Sequence, residues 1–431
     1  MTDKRWLRII PVALIMYTIS YVDRTNISLA LDPKISNMMK DLLMNDERKG
    51  QAAGIFFIGY MLLQIPGGHL ARIWSARKLI SVCLVAWGAC AVGCGLAHTY
   101  TQFAIARFLL GMAESAVYPA TLVLLFNWFS RSERAQATAY WILCQPLAVA
   151  VSAPITGALL GSFGWQRMLI YEGALPFIWL PIWWFFIRDH PREATWLSSE
   201  ERARVEASLQ EEVTQLEPAG RTSVLESLLH PTVLTMVGFY FLHNCAAYGC
   251  MTFFTDGLKG QGFTTLQYGL LFAVPYAVSA VLMVLVSRSS DRMRERRWHL
   301  AFTYGLCGIS MILSVLCRGN FWLSYTFLCL AIPCPFVGQA PFWAHASETL
   351  PRNVLAVAIG LVNALGNVGG YFGPSVIGWV KNSFPNATGM PFNLLGLGMI
   401  TAAILALLLP KARITQSVQF TPTVTTSGKQ K

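Results

Sequence analysis

Long apolar runs, each sized to cross a bilayer as a helix, follow one another along the chain with short polar breaks between them. They fall at about 7–31, 51–71, 79–97, 102–127, 135–160, 168–187, 233–257, 267–287, 299–317, 321–346, 354–380 and 391–410. The pattern predicts an all-α membrane protein with twelve transmembrane helices. The longest polar stretch, Arg188 to His230, splits them six and six. The units expected are therefore an N-terminal six-helix bundle over 1–187, a linker over 188–230, a C-terminal six-helix bundle over 231–411 and a disordered tail over 412–431. Within the linker, Ser198 and Glu201 have capping-box spacing. Val205, Leu209, Val213 and Leu216 share one helical face, which predicts an amphipathic helix lying under the bundle.

Composition agrees with the pattern. Hydrophobic residues make up 54% of the chain and charged ones 13%, about half the share usual in soluble domains. The net charge of +11 would point to nucleic acid in a soluble protein. Here the basic residues are unevenly shared. Of the 33 Lys and Arg, 23 fall in loops on the side of the N-terminus and 8 on the other, with Arg24 and Arg107 inside apolar runs. By the positive-inside rule both termini are expected in the cytoplasm, and nucleic acid is not an expected partner. The ten cysteines are scattered mostly through apolar runs with no C-x-x-C, which predicts packing rather than disulfides or a metal site. The N-terminal apolar run lacks a small-residue cleavage site and reads as a retained first helix.

Four charges stand out deep in the first and fourth apolar runs. Asp23 and Arg24 lie in Ser20-Tyr21-Val22-Asp23-Arg24-Thr25-Asn26, and Arg107 and Glu114 lie seven residues apart in the fourth run. Charges at membrane depth are expensive and persist where they face a cavity or a partner. Arg107 and Glu114 share one helical face, about 10 Å apart along the axis. Mutual neutralisation between two helices is the plainer reading of the four; an anion site with a built-in proton switch is the sharper one. A guanidinium presents a planar fork that fits a carboxylate. Burial penalises the charged form of Glu114 while a neighbouring guanidinium favours it, and that competition makes a switch possible.

The two halves echo each other. Gly68-His-Leu-Ala-Arg72-Ile-Trp-Ser75-Ala-Arg77-Lys78 joins helices two and three, and Ser287-Arg-Ser-Ser-Asp291-Arg292-Met-Arg-Glu-Arg296-Arg297 joins eight and nine at the matching place. Duplicated halves around a midplane site are the plan of many secondary transporters. With these loops the sequence resembles the major facilitator superfamily. The first loop departs from that family's pattern, with Arg72 where an Asp is usual and Ser75 where a Gly is frequent, so its latch is expected to be weaker or differently paired. Within the superfamily the chain is similar to the anion:cation symporters. The resemblance is carried by Tyr21-Val-Asp23-Arg24-Thr-Asn26, Phe56-Phe-Ile-Gly-Tyr60, Arg107-Phe-Leu-Leu-Gly-Met-Ala-Glu114, Trp128-Phe with Arg134-Ala, Glu172-Gly173, Pro341-Phe-Trp343 and Asn363-Ala-Leu-Gly366-Asn367-Val-Gly-Gly370. It implies a proton-driven importer of a small organic anion, such as a sugar acid, a tartrate-like acid or an aromatic acid. It also implies Arg24 as the substrate's cation and Asp23 and Glu114 as the proton-coupling acids.

Further substrate contacts are expected from Tyr21, Tyr60, Arg107 and Gln145 in the first half. In the second half, which supplies few charges, Tyr240, His243, Asn244, Trp343, His345, Asn363 and Asn367 are the candidates. Glu172 reads as structural, capping or pairing with a helix end, and Glu348 as part of a gate or latch. No cofactor is expected beyond the proton gradient. The setting is a bacterial inner membrane, with a monomer as the default. An anion exchanger without net proton movement is the alternative, and a non-transporting receptor a remote one. Nothing in the chain offers an enzyme's metal cluster, nucleophile–base pair or phosphate loop.

Overall fold

The computed structural model describes residues 4–215, 226, 229–254, 262–350, 352–386 and 389–411. Apart from turns and a short 3-10 segment, the described residues fold as helices, and no strand occurs among them. The first half contains α1 (Lys4–Ala30), α2 (Asp46–Leu62), α3 (Gln64–Ile73), α4 (Ala76–Gly95), α5 (Tyr100–Glu114), α6 (Val117–Trp128), α7 (Arg131–Ile142), α8 (Cys144–Gly173) and α9 (Leu175–Phe186). The linker carries α10 (Ser199–Gln215). The second half contains α11 (Pro231–Phe253), α12 (Thr265–Met293), α13 (Arg297–Leu316), α14 (Phe321–Ala331), α15 (Pro333–Thr349), α16 (Arg352–Asn367), α17 (Gly369–Ser383) and α18 (Met390–Leu408).

Among the described residues, eight helical stretches are long and apolar enough to cross a membrane, and the α2–α3 pair, bent by 42°, makes a ninth. One of the eight runs for 51 residues, Gln136–Phe186. At 1.5 Å per residue that is more than twice the ~30 Å of a hydrocarbon core. It breaks at Gly164, whose φ of 77° is open to glycine without strain, and so supplies two crossings. Adding α11 and the α16–α17 pair, two helices of 16 and 15 residues in tandem, brings the described residues to the twelve crossings expected. Several crossings are built from two helices. The α14–α15 break is followed by Pro333, and the α16–α17 break sits at Val368 ahead of Gly369-Gly370. Such breaks are tolerated in a bilayer where neighbours satisfy the freed backbone.

Each half packs chiefly on itself. In the first, α1 lies against α8 and α9, and α5 against α2 and α4; in the second, α13 lies against α18, and α11 against α16, α17 and α18. The halves meet along two seams, α2 with α17 and α8 with α12. Both lie toward the face opposite the chain ends, here called the distal face. Glycines let the backbones touch there. A Cβ on Gly50 would stand 2.2 Å from the Pro374 carbonyl oxygen, one on Gly378 2.3 Å from that of Asp46, and one on Gly269 2.5 Å from that of Ala153. Close approach through small residues is the usual way helices associate in lipid. A Lys381–Asp46 ion pair at 3.1 Å lies beside the first seam, and the fully buried Lys49 amine rests over the Phe253 ring at 4.5 Å. Gly50→Leu is therefore expected to hold the distal seam apart. Peptide mapping should find Lys49 labelled by an impermeant amine reagent about tenfold faster than in the parent, since local opening governs access; parent-like protection would refute the seal.

The linker follows the expected capping: the Glu201 N–H donates to Ser198 Oγ at 3.1 Å and the Ser198 N–H to Glu201 Oε2 at 3.0 Å. Val205 is buried and Leu209 half-buried; Leu216 and the tail lie outside the described residues. The two basic loops pair differently. In the second, Arg296 rather than Arg292 bridges Asp291 at 2.6 Å and Glu348 at 2.9 Å, tying α12 to α15. In the first, Asp189 of the linker receives the Ser75 hydroxyl and, at 2.9 Å, the Arg77 N–H. With Arg72 in place of an acid, the latch is made from outside the loop.

Candidate functional site

The site begins on α1. Tyr17, Tyr21 and Arg24 recur at helical spacing, so they face one way, toward the second half. The face of α11 that meets them repeats the device: Tyr240, Asn244, Ala247, Tyr248 and Met251 are spaced by three and four. Gln339 and Trp343 on α15, and Asn363 and Asn367 on α16, add one-turn pairs. Together with Tyr60 from α2, Tyr118 from α6, Gln145 from α8, and His243, Pro335 and Phe336, these residues enclose a cavity between the two halves. Its free volume is about 30 Å³, room for about two waters. The walls have converged, and a metabolite-sized ligand needs them to move apart.

Arg24 is the cation on this wall. Its guanidinium is 6% exposed and lies 4.5 Å from the Tyr60 ring centre, 5.2 Å from Phe56 and 5.5 Å from Tyr21. Aromatic faces attract a cation without consuming its N–H donors. Its carboxylate partner is Glu114 of α5. Arg24 Nε and Nη2 donate to Glu114 Oε2 at 3.2 and 3.1 Å, and the Ser20 hydroxyl donates to the same oxygen at 2.7 Å. Glu114 is fully buried and does not line the cavity, and its other oxygen, Oε1, has no hydrogen-bond partner.

Asp23 and Arg107 stand farther back. Trp87 Nε1 donates to Asp23 Oδ2 at 2.8 Å. Arg107 reaches Asp23, but its Nη1 donates to the backbone carbonyl at 2.8 Å rather than to the carboxylate. The neutralisation read from the sequence thus forms for Arg24 with Glu114 and takes another shape for Arg107 with Asp23. Of the residues expected to touch substrate, Tyr21, Arg24, Tyr60, Gln145, His243, Trp343, Asn363 and Asn367 line the cavity. Arg107 does not. It is 3% exposed behind the wall, its guanidinium 5.1 Å from the Phe56 ring, because Phe56 and Tyr60 fill the space between it and the cavity.

In the second half His243 Nδ1 shares a 2.7 Å hydrogen bond with the Tyr304 hydroxyl, and its ring stacks on Tyr240 at 5.0 Å. Asn244 Nδ2 donates to the Gly366 carbonyl at 3.1 Å, and Asn367 Nδ2 to Asn363 Oδ1 at 3.0 Å. Gly366 is required where it stands, since a Cβ there would lie 2.4 Å from Tyr240 Cδ1. His345, also a candidate, is fully buried on α15 away from the cavity. The cavity residues not anticipated are Tyr17, Tyr118, Ala247, Tyr248, Met251, Pro335, Phe336 and Gln339. The signal for three of them was present: Tyr17 is four before Tyr21, Tyr248 four after Asn244, and Gln339 four before Trp343.

Glu172 does not cap or pair with a helix end. Its carboxylate accepts from Thr156 Oγ1 at 2.6 Å and from Asn26 Nδ2 at 2.9 Å, tying the two limbs of α8 to α1. Glu172→Ala is expected to remove both buried bonds and to leave two polar groups unsatisfied, at about 1–3 kcal/mol each. A fall of several degrees in the unfolding midpoint in detergent checks this. Among the described residues no His, Cys, Asp and Glu cluster is arranged to hold a metal ion.

Residues 13–374 match the family described as Major Facilitator Superfamily. A protein from Agrobacterium vitis named "Putative tartrate transporter" is 32% identical over 94% of this chain and 90% of its own length. "Quinolone resistance transporter" from Acinetobacter baumannii is 30% identical over 89% of each chain. "Probable galactarate/D-glucarate transporter GarP" from Escherichia coli K12 is 26% identical over 86% of this chain and 87% of its own. Among solved structures, a bacterial homologue of the human lysosomal transporter Spinster, inward-facing and unoccupied, superposes with a TM-score of 0.72 at 17% identity, covering 95% of this chain and 96% of that one. That likeness is one of fold.

Proposed function

We propose, since this chain belongs to the Major Facilitator Superfamily and is related to tartrate and sugar-acid transporters, that it carries a small organic anion across the membrane together with protons, by alternating access. The observation that carries this reading is the Arg24–Glu114 pair. A guanidinium on the cavity wall is held by a buried acid that the cavity itself does not touch. While Glu114 is a carboxylate, Arg24 is satisfied internally. A proton on Glu114 frees Arg24 for a substrate carboxylate. Binding of anion and proton then reinforce each other, each by the same factor. The proton gradient thereby drives accumulation of the anion.

The neutral second half gives the ligand a complementary set of contacts. Asn363, Gln339 and His243, with Gln145 of the first half, offer hydrogen bonds to hydroxyls or a second acid group, and Trp343 and Tyr240 offer flat apolar faces. The glycine seams at the distal face support alternating access, since small-residue contacts can part and re-form as rigid halves rock. We take the face with the chain ends, where basic residues concentrate, as cytoplasmic. The setting is then the plasma membrane of a bacterium.

The experiment is uptake of labelled tartrate, glucarate and galactarate into proteoliposomes. An inward proton gradient alone is expected to drive accumulation of one of them. Exchange that proceeds without any response to the gradient would replace symport by antiport of anions. One observation favours a second reading, export of an aromatic compound: the cavity is walled by Tyr17, Tyr21, Tyr60, Tyr118, Tyr248 and Trp343, and one relative is named for quinolone resistance. Raised quinolone tolerance of cells expressing the chain, without binding of any of the three acids, would favour it.

A further inference from the structure

A second cavity, of about 670 Å³, opens at the face that carries the chain ends. It lies between the end of α3, the start of α4, α6 and the first residues of the linker, well away from the cavity between the halves. Arg72, Lys78 and Arg192 line it, all exposed, and among the described residues none of these side chains has a hydrogen bond or an ion pair. The acids beside them are already engaged. Asp189 receives Ser75 and the Arg77 N–H, and Glu193 receives the Asp189 N–H at 3.3 Å. Arg77 is engaged too, donating to the Trp184 carbonyl at 2.6 Å with its guanidinium 4.0 Å from the Trp184 ring centre. What remains is a cavity in which Arg72, Lys78 and Arg192 make no ion pair, so that with Arg77 its four cations outnumber the two carboxylates, Asp189 and Glu193, in the same lining. Arg72 contributes one of them at the position where the family's usual loop would place an acid.

The rim is apolar. Trp74 and Phe126 line the cavity and are 50 and 54% exposed, the Arg134 guanidinium lying 3.7 Å from the Phe126 ring centre. Indoles gather at the level of the lipid headgroups, and basic pockets between helices at that depth suit anionic headgroups. Free phosphate would need the cations alone. The exposed Trp74 and Phe126 side chains give an acyl chain somewhere to lie.

We propose that this cavity binds the phosphodiester headgroup of an anionic phospholipid, with Arg72, Lys78 and Arg192 on the phosphate and the acyl chains running out over Trp74 and Phe126. The site is independent of the transport reading, because no residue of the central cavity takes part.

The test titrates the purified full chain in neutral detergent with phosphatidylglycerol, phosphatidylcholine and inorganic phosphate, following the unfolding midpoint and lipid adducts by native mass spectrometry. Phosphatidylglycerol is expected to raise the midpoint and to remain bound, as mass action requires of a ligand specific to the folded state. Raising the salt should weaken it. The combined variant Arg72→Gln, Lys78→Gln, Arg192→Gln should bind phosphatidylglycerol at least about tenfold more weakly, with phosphatidylcholine unaffected. If that variant does not fold, the single exposed change Arg72→Asp should by itself weaken phosphatidylglycerol severalfold. Parent-like binding by a folded variant, equal retention of phosphatidylcholine, or an equal midpoint shift from phosphate alone would each overturn the assignment.

Discussion

Arg24→Ala is expected to abolish measurable binding of the transported anion. The guanidinium is the cation on the wall of the central cavity, and its aromatic surroundings, Tyr60, Phe56 and Tyr21, leave it no second counter-ion to lose. Truncating one member of a buried, hydrogen-bonded charge pair costs on the order of 2–5 kcal/mol, roughly thirtyfold to several thousandfold in Kd. The same change strips Glu114 of its partner in a fully buried place. Loss of binding must therefore be separated from loss of fold. Arg24→Ala combined with Glu114→Gln removes both charges and should recover thermal stability without recovering binding. Arg24→Lys keeps a charge but not the fork, and should bind more weakly than the parent by about tenfold or more. Isothermal titration or a ligand-induced shift in unfolding midpoint measures all three, and retained affinity in Arg24→Ala would remove Arg24 from the principal role.

Glu114→Gln is expected to separate binding from coupling. Glutamine keeps an oxygen where Oε2 accepts from Ser20 and Arg24, and puts an uncharged amide where Oε1 stands without a partner. It thus resembles the protonated acid. In the parent, a proton on Glu114 releases Arg24, so anion affinity should rise as pH falls. In the glutamine variant affinity should stay high and become flat with pH. Counterflow of labelled for unlabelled anion should continue, while accumulation driven by an inward proton gradient falls by an order of magnitude or more, since the linked proton is gone. Full accumulation in the variant would discredit Glu114 as the coupling acid. Asp23→Asn is the companion measurement. Its carboxylate accepts from Trp87 and does not touch Arg24, so a smaller effect on affinity is expected.

Much of this architecture was legible in the residues taken in order. Runs of apolar side chains longer than a bilayer is thick can only be crossings, and the Arg188–His230 interruption divides them evenly. The charges of Asp23, Arg24, Arg107 and Glu114 were conspicuous because burial in lipid makes each one costly. Periodicity also placed Arg107 and Glu114 on a common helical face.

The partners of those groups were not legible in that way. Arg24 meets Glu114 across ninety residues, and Arg107 donates to a carbonyl rather than to a carboxylate, because the reach of these side chains between α1 and α5 and the bulk of Phe56 and Tyr60 set which atoms can touch. The same holds for Glu172 with Asn26 and Thr156, for Asp189 with the α4 start, and for Arg296 with Glu348. By itself the sequence determined how many times the chain crosses, where it divides and which charges are forced to find company, since those follow from local hydropathy and helical period. Only the tertiary structure decided which residues share the cavity and which stand behind its wall, since those depend on distances between helices that no spacing along the chain encodes.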